Sequence, residues 1–269
     1  MTPDAVDGLA ISGLTVRYGG QVAVNDVSLS APRGRLTGLI GPNGAGKTST
    51  FNACSGLLRP SAGHVVLDGH DITRLGPAAR ARRGIGRTFQ KMELSPSMTV
   101  AENVALGSEA RRAGANPLRH WTAGRRQGAA VRAATDEALG ACGIADLAGA
   151  PVGELSTGQR RLVELARVHA GGFSVLLLDE PSSGLDRRES EQLGAILRSL
   201  IEERGLSILL VEHDMALVMS VCDHLYVLDF GRLIFEGGPD ETRVSPVVQA
   251  AYLGSAEVTE MAGLGPDGG

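Results

Sequence analysis

The chain has 269 residues, 43% of them apolar, and a formal net charge of −4. That length holds one large α/β domain, or one domain with an inserted subdomain. The charge gives no global pull towards nucleic acid or anionic lipid. Nine aromatics are few, so a core must rest on Leu, Ile, Val and Ala. Cys54, Cys142 and Cys222 lie far apart without metal-ligand spacing and read as reduced core thiols of a cytosolic protein. Residues 1–7 lack the basic and apolar regions of a signal peptide. The longest apolar runs, such as 175–178 and 208–211, are strand-length, far short of the roughly 20 residues that span a bilayer. Any membrane role is therefore expected to run through partners.

In chain order, 9–16 carries apolar residues at alternate positions (Leu9 and Ile11, then Leu14 and Val16), broken by Gly13. It reads as an edge-type strand running into Tyr18-Gly19-Gly20. A second strand at 22–30 turns at Pro32-Arg33-Gly34 into a short buried strand at 36–40. Next comes Gly41-Pro42-Asn43-Gly44-Ala45-Gly46-Lys47-Thr48, which fits G-x-x-x-x-G-K-[ST], and then a helix from Lys47 ended by Gly56. Strand, loop and helix are the context that this phosphate-binding motif requires. Successive backbone N–H groups point into one concavity, and the helix N-terminus adds positive potential. Lys47 is expected to reach the β- and γ-phosphates and the Thr48 hydroxyl to ligate Mg²⁺, with Ser49 also among the nucleotide contacts. Of 26 basic residues only Lys47 and Lys91 are lysines. A sequence that otherwise chooses arginine keeps a compact, mobile ammonium in this loop.

A strand at 63–68 ends in a turn at Asp68-Gly69, and an arginine-rich stretch at 80–87 leads to Thr88-Phe89-Gln90. From about 91 to 153 the pattern becomes helix-like, Ala- and Arg-rich. Within it, 108–132 sets six arginines against Glu109, a local net of +5. A solvated arm explains such a run, and contact with lipid phosphates or an acidic partner is the sharper alternative. Residues 155–158 open another helix, continuing through Leu162, Leu165, Ala166 and His169. A fully buried strand at 175–178 ends in Asp179-Glu180. Asp186 and Glu189 look like an N-cap and its N3 partner, before Leu193, Ile196, Leu197, Leu200 and Ile201 at amphipathic helical spacing. Strand 206–211, a helix around 215–222, strand 225–228 and a hairpin partner at 233–235 follow. Residues 255–269 are polar and contain Gly and Pro, the composition of a disordered tail. Alternating strands and helices imply a mostly parallel sheet covered on both faces.

A nucleotidase also needs a metal-associated carboxylate and a group that activates water. Asp179 and Glu180 stand where a parallel strand ends, near the phosphate loop if the strands are neighbours. Asp179 would hold the Mg²⁺ shell, and Glu180, one residue on, could polarise the attacking water.

With Leu155-Ser156-Thr157-Gly158-Gln159 the chain resembles the ATP-binding subunit of an ABC transporter. The phosphate loop, the strand ending at Glu180, Ser183-Gly184-Leu185-Asp186 and Val211-Glu212-His213-Asp214 share in the resemblance, in the family's order. It implies a P-loop core over about 9–90 and 159–254, with an N-terminal antiparallel β part and a helical insertion at about 91–158. It further implies that Tyr18 stacks on adenine and that Gln90 senses Mg²⁺ and water. Ser156, Gly158 and Gln159 would bind the γ-phosphate of ATP held by a second subunit. Asp186 would lie at the dimer interface, and His213 would contact the γ-phosphate. Thr157 stands where the family usually has glycine, a clue to subfamily.

Gly84-Ile85-Gly86-Arg87-Thr88-Phe89-Gln90, Glu212-His213-Asp214-Met215, Val227-Leu228-Asp229-Phe230-Gly231 and Ala251-Tyr252-Leu253-Gly254 resemble the branched-chain amino-acid importer ATPases, the longer of their two types. Lipopolysaccharide-export and urea or short-amide systems are the near alternatives. The implied cofactors are ATP and Mg²⁺. The implied partners are a second ATPase subunit, two membrane permeases and, indirectly, a substrate-binding protein, with no nucleic acid. The implied place is the cytoplasmic face of the membrane. ABC ATPases that act on nucleic acid or ribosomes are the alternative from another class, but they carry paired ATPase units or long coiled coils that this chain lacks.

Overall fold

The computed structural model describes residues 7–88, 94–113 and 125–252. The first elements are β1 (Gly8–Tyr18), β2 (Gln21–Pro32), β3 (Arg35–Ile40), α1 (Lys47–Ser55), β4 (Ala62–Leu67), β5 (His70–Asp71), α2 (Pro77–Arg82) and β6 (Ile85–Arg87). After them come α3 (Val100–Ala113), α4 (Arg125–Ala141), α5 (Thr157–Ala170), β7 (Val175–Asp179), α6 (Arg187–Arg204) and β8 (Ser207–Val211). The last are α7 (Met215–Val221), β9 (His224–Asp229), β10 (Arg232–Gly237), α8 (Pro239–Val244) and α9 (Pro246–Tyr252). Gln90, the centre of the arginine-rich arm and the tail at 255–269 lie outside the described residues.

The strands form two sheets. An antiparallel one runs β2-β1-β4-β5, and a six-stranded one runs β10-β9-β3-β8-β7-β6, parallel except for β10. The expectation of an edge-type first strand is corrected here: β1 is interior, paired with β2 on one side and β4 on the other. Alternation reports which face of a strand is buried and says nothing about whether both its edges are hydrogen-bonded. Gly13 (φ 60) falls where the β1–β2 register shifts, so the apparent break is an irregularity inside one strand.

Continuous apolar runs are what a sheet covered on both faces demands. Successive residues of β7 and β8 serve opposite sides. Leu176, Leu178, Ile208 and Leu210 pack with the apolar residues of α4 to α7, such as Leu139, Leu165, Leu197 and Val218. Val175, Leu177, Leu209 and Val211 pack with Phe51 of α1 and the inner face of the antiparallel sheet. The sheet is thus fixed between two cores, which leaves its strand ends free to carry chemistry. Cys54, Cys142 and Cys222 are free and buried. Burial pushes the Cys54 and Cys142 thiols up to about 12, so they are inert packing residues.

Between β6 and β7 the described chain is helical, and α3 crosses α5 closely. A Cβ on Gly107 would lie 1.8 Å from the Arg167 carbonyl oxygen, a backbone atom that cannot rotate away. Gly107→Ala must therefore force the helices apart, an overpacking cost of about 1–3 kcal/mol. The expected result is a fall in Tm of roughly 5 °C in a thermal melt. No described helix is long and apolar enough to cross a membrane.

Candidate active site

Strands β3, β9, β8, β7 and β6 run in one direction, so their C-terminal ends share one edge. Leu39 of β3 and Asp179 of β7 both lie opposite Val211 of β8. The phosphate loop and the acidic pair therefore start at the same level, about 10 Å apart at two strand spacings. Ligands of open α/β sheets bind outside such carboxyl ends.

The loop's shape depends on its glycines. Gly41 has φ 145 and Gly46 has φ 101, and a Cβ on Gly41 would lie 2.1 Å from the Leu228 carbonyl oxygen. Gly46 precedes α1 with no side-chain cap, and the first turn of α1 carries no acid. The helix's first N–H groups and positive end are thus left to an anion. Lys47 is buried, and its ammonium donates to the carbonyl oxygens of Gly41 and, at 3.0 Å, Pro42. Thr48 is exposed on the first turn of α1, and the Ser49 hydroxyl lies 3.4 Å from the Tyr18 hydroxyl. Tyr18 is 52% exposed, an aromatic face left bare beside the loop.

Asp179 is 1% exposed, and its Oδ1 has no hydrogen-bond partner. Its Oδ2 accepts from Arg87 Nη2 at 3.3 Å. Burial pushes the Asp179 carboxyl up, the charges of Glu180 and Glu212 add to this, and Arg87 opposes it. An orphaned oxygen on a desolvated carboxylate is costly unless something electropositive meets it. One carboxylate and one hydroxyl are the kind of hard oxygen donors that would hold Mg²⁺ brought with phosphates. Among the described residues no cluster of three or more His, Cys, Asp or Glu could hold a metal by itself. The residues present therefore fit an ion brought with a nucleotide.

Glu180 takes the left-handed conformation at φ 50, a strained backbone for a side-chain-bearing residue. Its N–H donates to Val211 O at 2.8 Å, which holds the bend. The turn aims its carboxylate at His213, with Oε1 3.0 Å from Nε2, and both side chains stay partly open to solvent. A carboxylate and an imidazole in contact at the strand ends can together orient and deprotonate a water.

Ser156, Gly158 and Gln159 start α5. The Ser156 hydroxyl accepts from Gln159 N at 3.2 Å, and the Gln159 side-chain Oε1 accepts from Ser156 N at 2.9 Å. Asp186 and Glu189 repeat this reciprocal cap at the start of α6. The two helix starts touch: Glu189 fills the space where Gly158 would carry a side chain, and the Thr157 methyl faces Gly184. The structure thus gathers the phosphate loop, Asp179, Glu180 and His213 on one sheet edge, while Ser156–Gln159 sits with the Asp186 loop.

Two residues given no role by the sequence pattern belong to the site. Arg87 donates through Nη1 to Asn52 and Ser55 of α1 at 2.7 and 2.8 Å and lies 4.7 Å above the Phe51 ring. It joins the helix after the phosphate loop to Asp179. Thr88 follows it, accepting through its hydroxyl from Asp179 N at 3.3 Å. Glu212, buried between two loops, is the second; its partners are all backbone N–H groups.

A family model described as ABC transporter matches residues 24–183. The high-affinity branched-chain amino acid transport ATP-binding protein BraF of Pseudomonas aeruginosa is 39% identical over 255 residues, covering 92% of this chain and 98% of that protein. Among solved structures, the ADP conformation of MJ1267, an ATP-binding cassette of an ABC transporter, superposes with a TM-score of 0.82 at 30% identity. It covers 93% of this chain and 99% of that one. A dimeric structure of MJ0796, a bacterial ABC transporter cassette, matches 86% of this chain and 98% of that one, with TM-score 0.72 at 26% identity. The phosphate loop, the acidic strand end and the capped Ser156 helix thus sit in a fold shared almost end to end with ATP-binding cassettes. The chain belongs to the ABC transporter family and is one of its ATP-hydrolysing cassettes.

Proposed function

We propose that this chain powers the import of branched-chain amino acids, as one of two ATPase subunits that close on ATP beneath a pair of permeases. The observation that carries this reading is the near-complete, end-to-end likeness to BraF, together with a nucleotidase set on one sheet edge. Lys47 and the N–H groups of the phosphate loop hold the nucleotide, and Tyr18 offers its ring to the base. Thr48 and Asp179 would hold Mg²⁺, with Gln90 as a further ligand; the ion would neutralise charge on the β- and γ-phosphate oxygens. Glu180 takes the proton of the attacking water, and His213 orients Glu180 and the γ-phosphate.

Ser156, Gly158 and Gln159 receive the γ-phosphate of the other subunit's ATP, with Asp186 at the interface between the two. Closure follows from binding because ATP meets both chains only in the closed state. The helical part at about 91–158 passes this movement to the permeases. A groove of about 420 Å³ lies between α2 and β6 on one side and α3 and α5 on the other. Leu57, Ala81, Leu106 and Phe173 make it apolar, and Leu57 and Leu106 are exposed. It opens beside β6, at the junction of the two parts, where a permease segment would feel their relative motion.

The full chain should co-purify with two membrane proteins encoded beside it. In vesicles containing that complex and its binding protein, ATP should drive uptake of leucine, isoleucine or valine. Uptake of urea or a short amide alone would move the chain to another importer class. Recovery with nucleic acid or ribosomes in place of membranes would refute transport.

A further inference from the structure

From this geometry we propose that Glu212 is a positioning residue that locks two loops into one catalytic unit. This rests on the reading of Glu180 and His213 above. Glu212 is 3% exposed and directly follows β8, where it faces the loop after β7. Its Oε1 accepts from Ser182 N at 2.7 Å, in the loop after β7. Its Oε2 accepts from His213 N at 2.8 Å and from Asp214 N at 3.3 Å, in the loop after β8.

The bonds close a ring. Glu180 meets the His213 imidazole, the His213 backbone meets Glu212, and Glu212 meets Ser182, two residues beyond Glu180. A second tie runs from Glu180 N to Val211 O. The same loop continues through Ser182 to Asp186, so one carboxylate orients the base, its histidine and the approach to the interface. Packing alone does not call for a charge here, since a buried carboxylate costs desolvation and raises the neighbouring Asp179 carboxyl further. What the carboxylate supplies is acceptors on both oxygens. Three backbone donors from two segments thirty residues apart are satisfied at once.

Glutamine is the isosteric test. Its amide nitrogen must face a backbone N–H at one of the two loops, donor against donor, and the ring opens there. In the full-length chain, Glu212→Gln is expected to lower kcat for ATP by about ten- to a hundredfold, the scale of a misplaced catalytic group. The KM for ATP should stay within about twofold, because the nucleotide contacts lie elsewhere, while the unpaired buried donor lowers Tm by a few degrees only. Glu212→Asp keeps the charge but is one methylene too short to span both loops, and should lose kcat similarly. In a His213→Ala background, Glu212→Gln should cost clearly less than in the wild type, because one of the two catalytic groups it places is already gone.

Near wild-type kcat in both Glu212 variants overturns the proposal. So does a full, multiplicative loss on top of His213→Ala, or a rise in KM that tracks a fall in Tm. His213→Ala turning over at the wild-type rate refutes the site reading itself, and the brace with it.

Discussion

Glu180→Gln should abolish most ATP turnover, by about 10²–10⁴-fold, while leaving ATP bound. The amide keeps the size of the side chain and can still contact His213 Nε2, now 3.0 Å from Glu180 Oε1, but it cannot take a proton. The backbone bend at φ 50 is held by the Val211 carbonyl and does not depend on the charge, so the fold should survive. With hydrolysis blocked and binding intact, the closed dimer has no route to reopen. The variant should therefore elute as an ATP-dependent dimer in size-exclusion chromatography, where the wild type should dimerise only transiently. Turnover near the wild-type rate would remove Glu180 from the role of base.

Lys47→Ala should weaken ATP binding by about a hundredfold or more, read by calorimetry or fluorescent nucleotide titration. On the proposed reading, two charge-assisted bonds to phosphate, each worth about 1.5–3 kcal/mol, would be removed together. The substitution also deletes the ammonium's bonds to Gly41 and Pro42, which tie the loop to itself. Both losses act on the same affinity, so the effect exceeds that of a surface lysine. Lys47→Arg should not rescue it, because a planar fork cannot fill the small space of a buried ammonium among carbonyls. An unchanged dissociation constant would count against the loop's role in binding.

How far the sequence could be read follows from which forces act locally. The strand before the phosphate loop, β7 and α6 are legible because burial on both faces, a fixed motif and a capping box are written in adjacent residues. The place of β1 inside its sheet was not, since its pairing with β4 is decided by residues about fifty positions away. Three-residue β6 and the short helices α8 and α9 are too brief to show a period. In the site, Asp179, Glu180 and His213 stood out through motif context. Arg87 was visible only as one arginine among several, and its contacts with Asn52, Ser55 and Asp179 needed the fold. Glu212 left even less signal, because its partners are main-chain atoms, which carry no sequence at all.

The paired helix caps carry a last consequence. Serine and aspartate are about equally good at starting a helix, and the chain uses one at Ser156 and the other at Asp186. A serine oxygen that accepts from Gln159 N keeps its own proton for an outside oxygen. An aspartate in that place would hold α5 equally well and repel a phosphate. Between two structurally equivalent residues, the electrically silent one stands where, on the proposed reading, another molecule's negative charge would arrive.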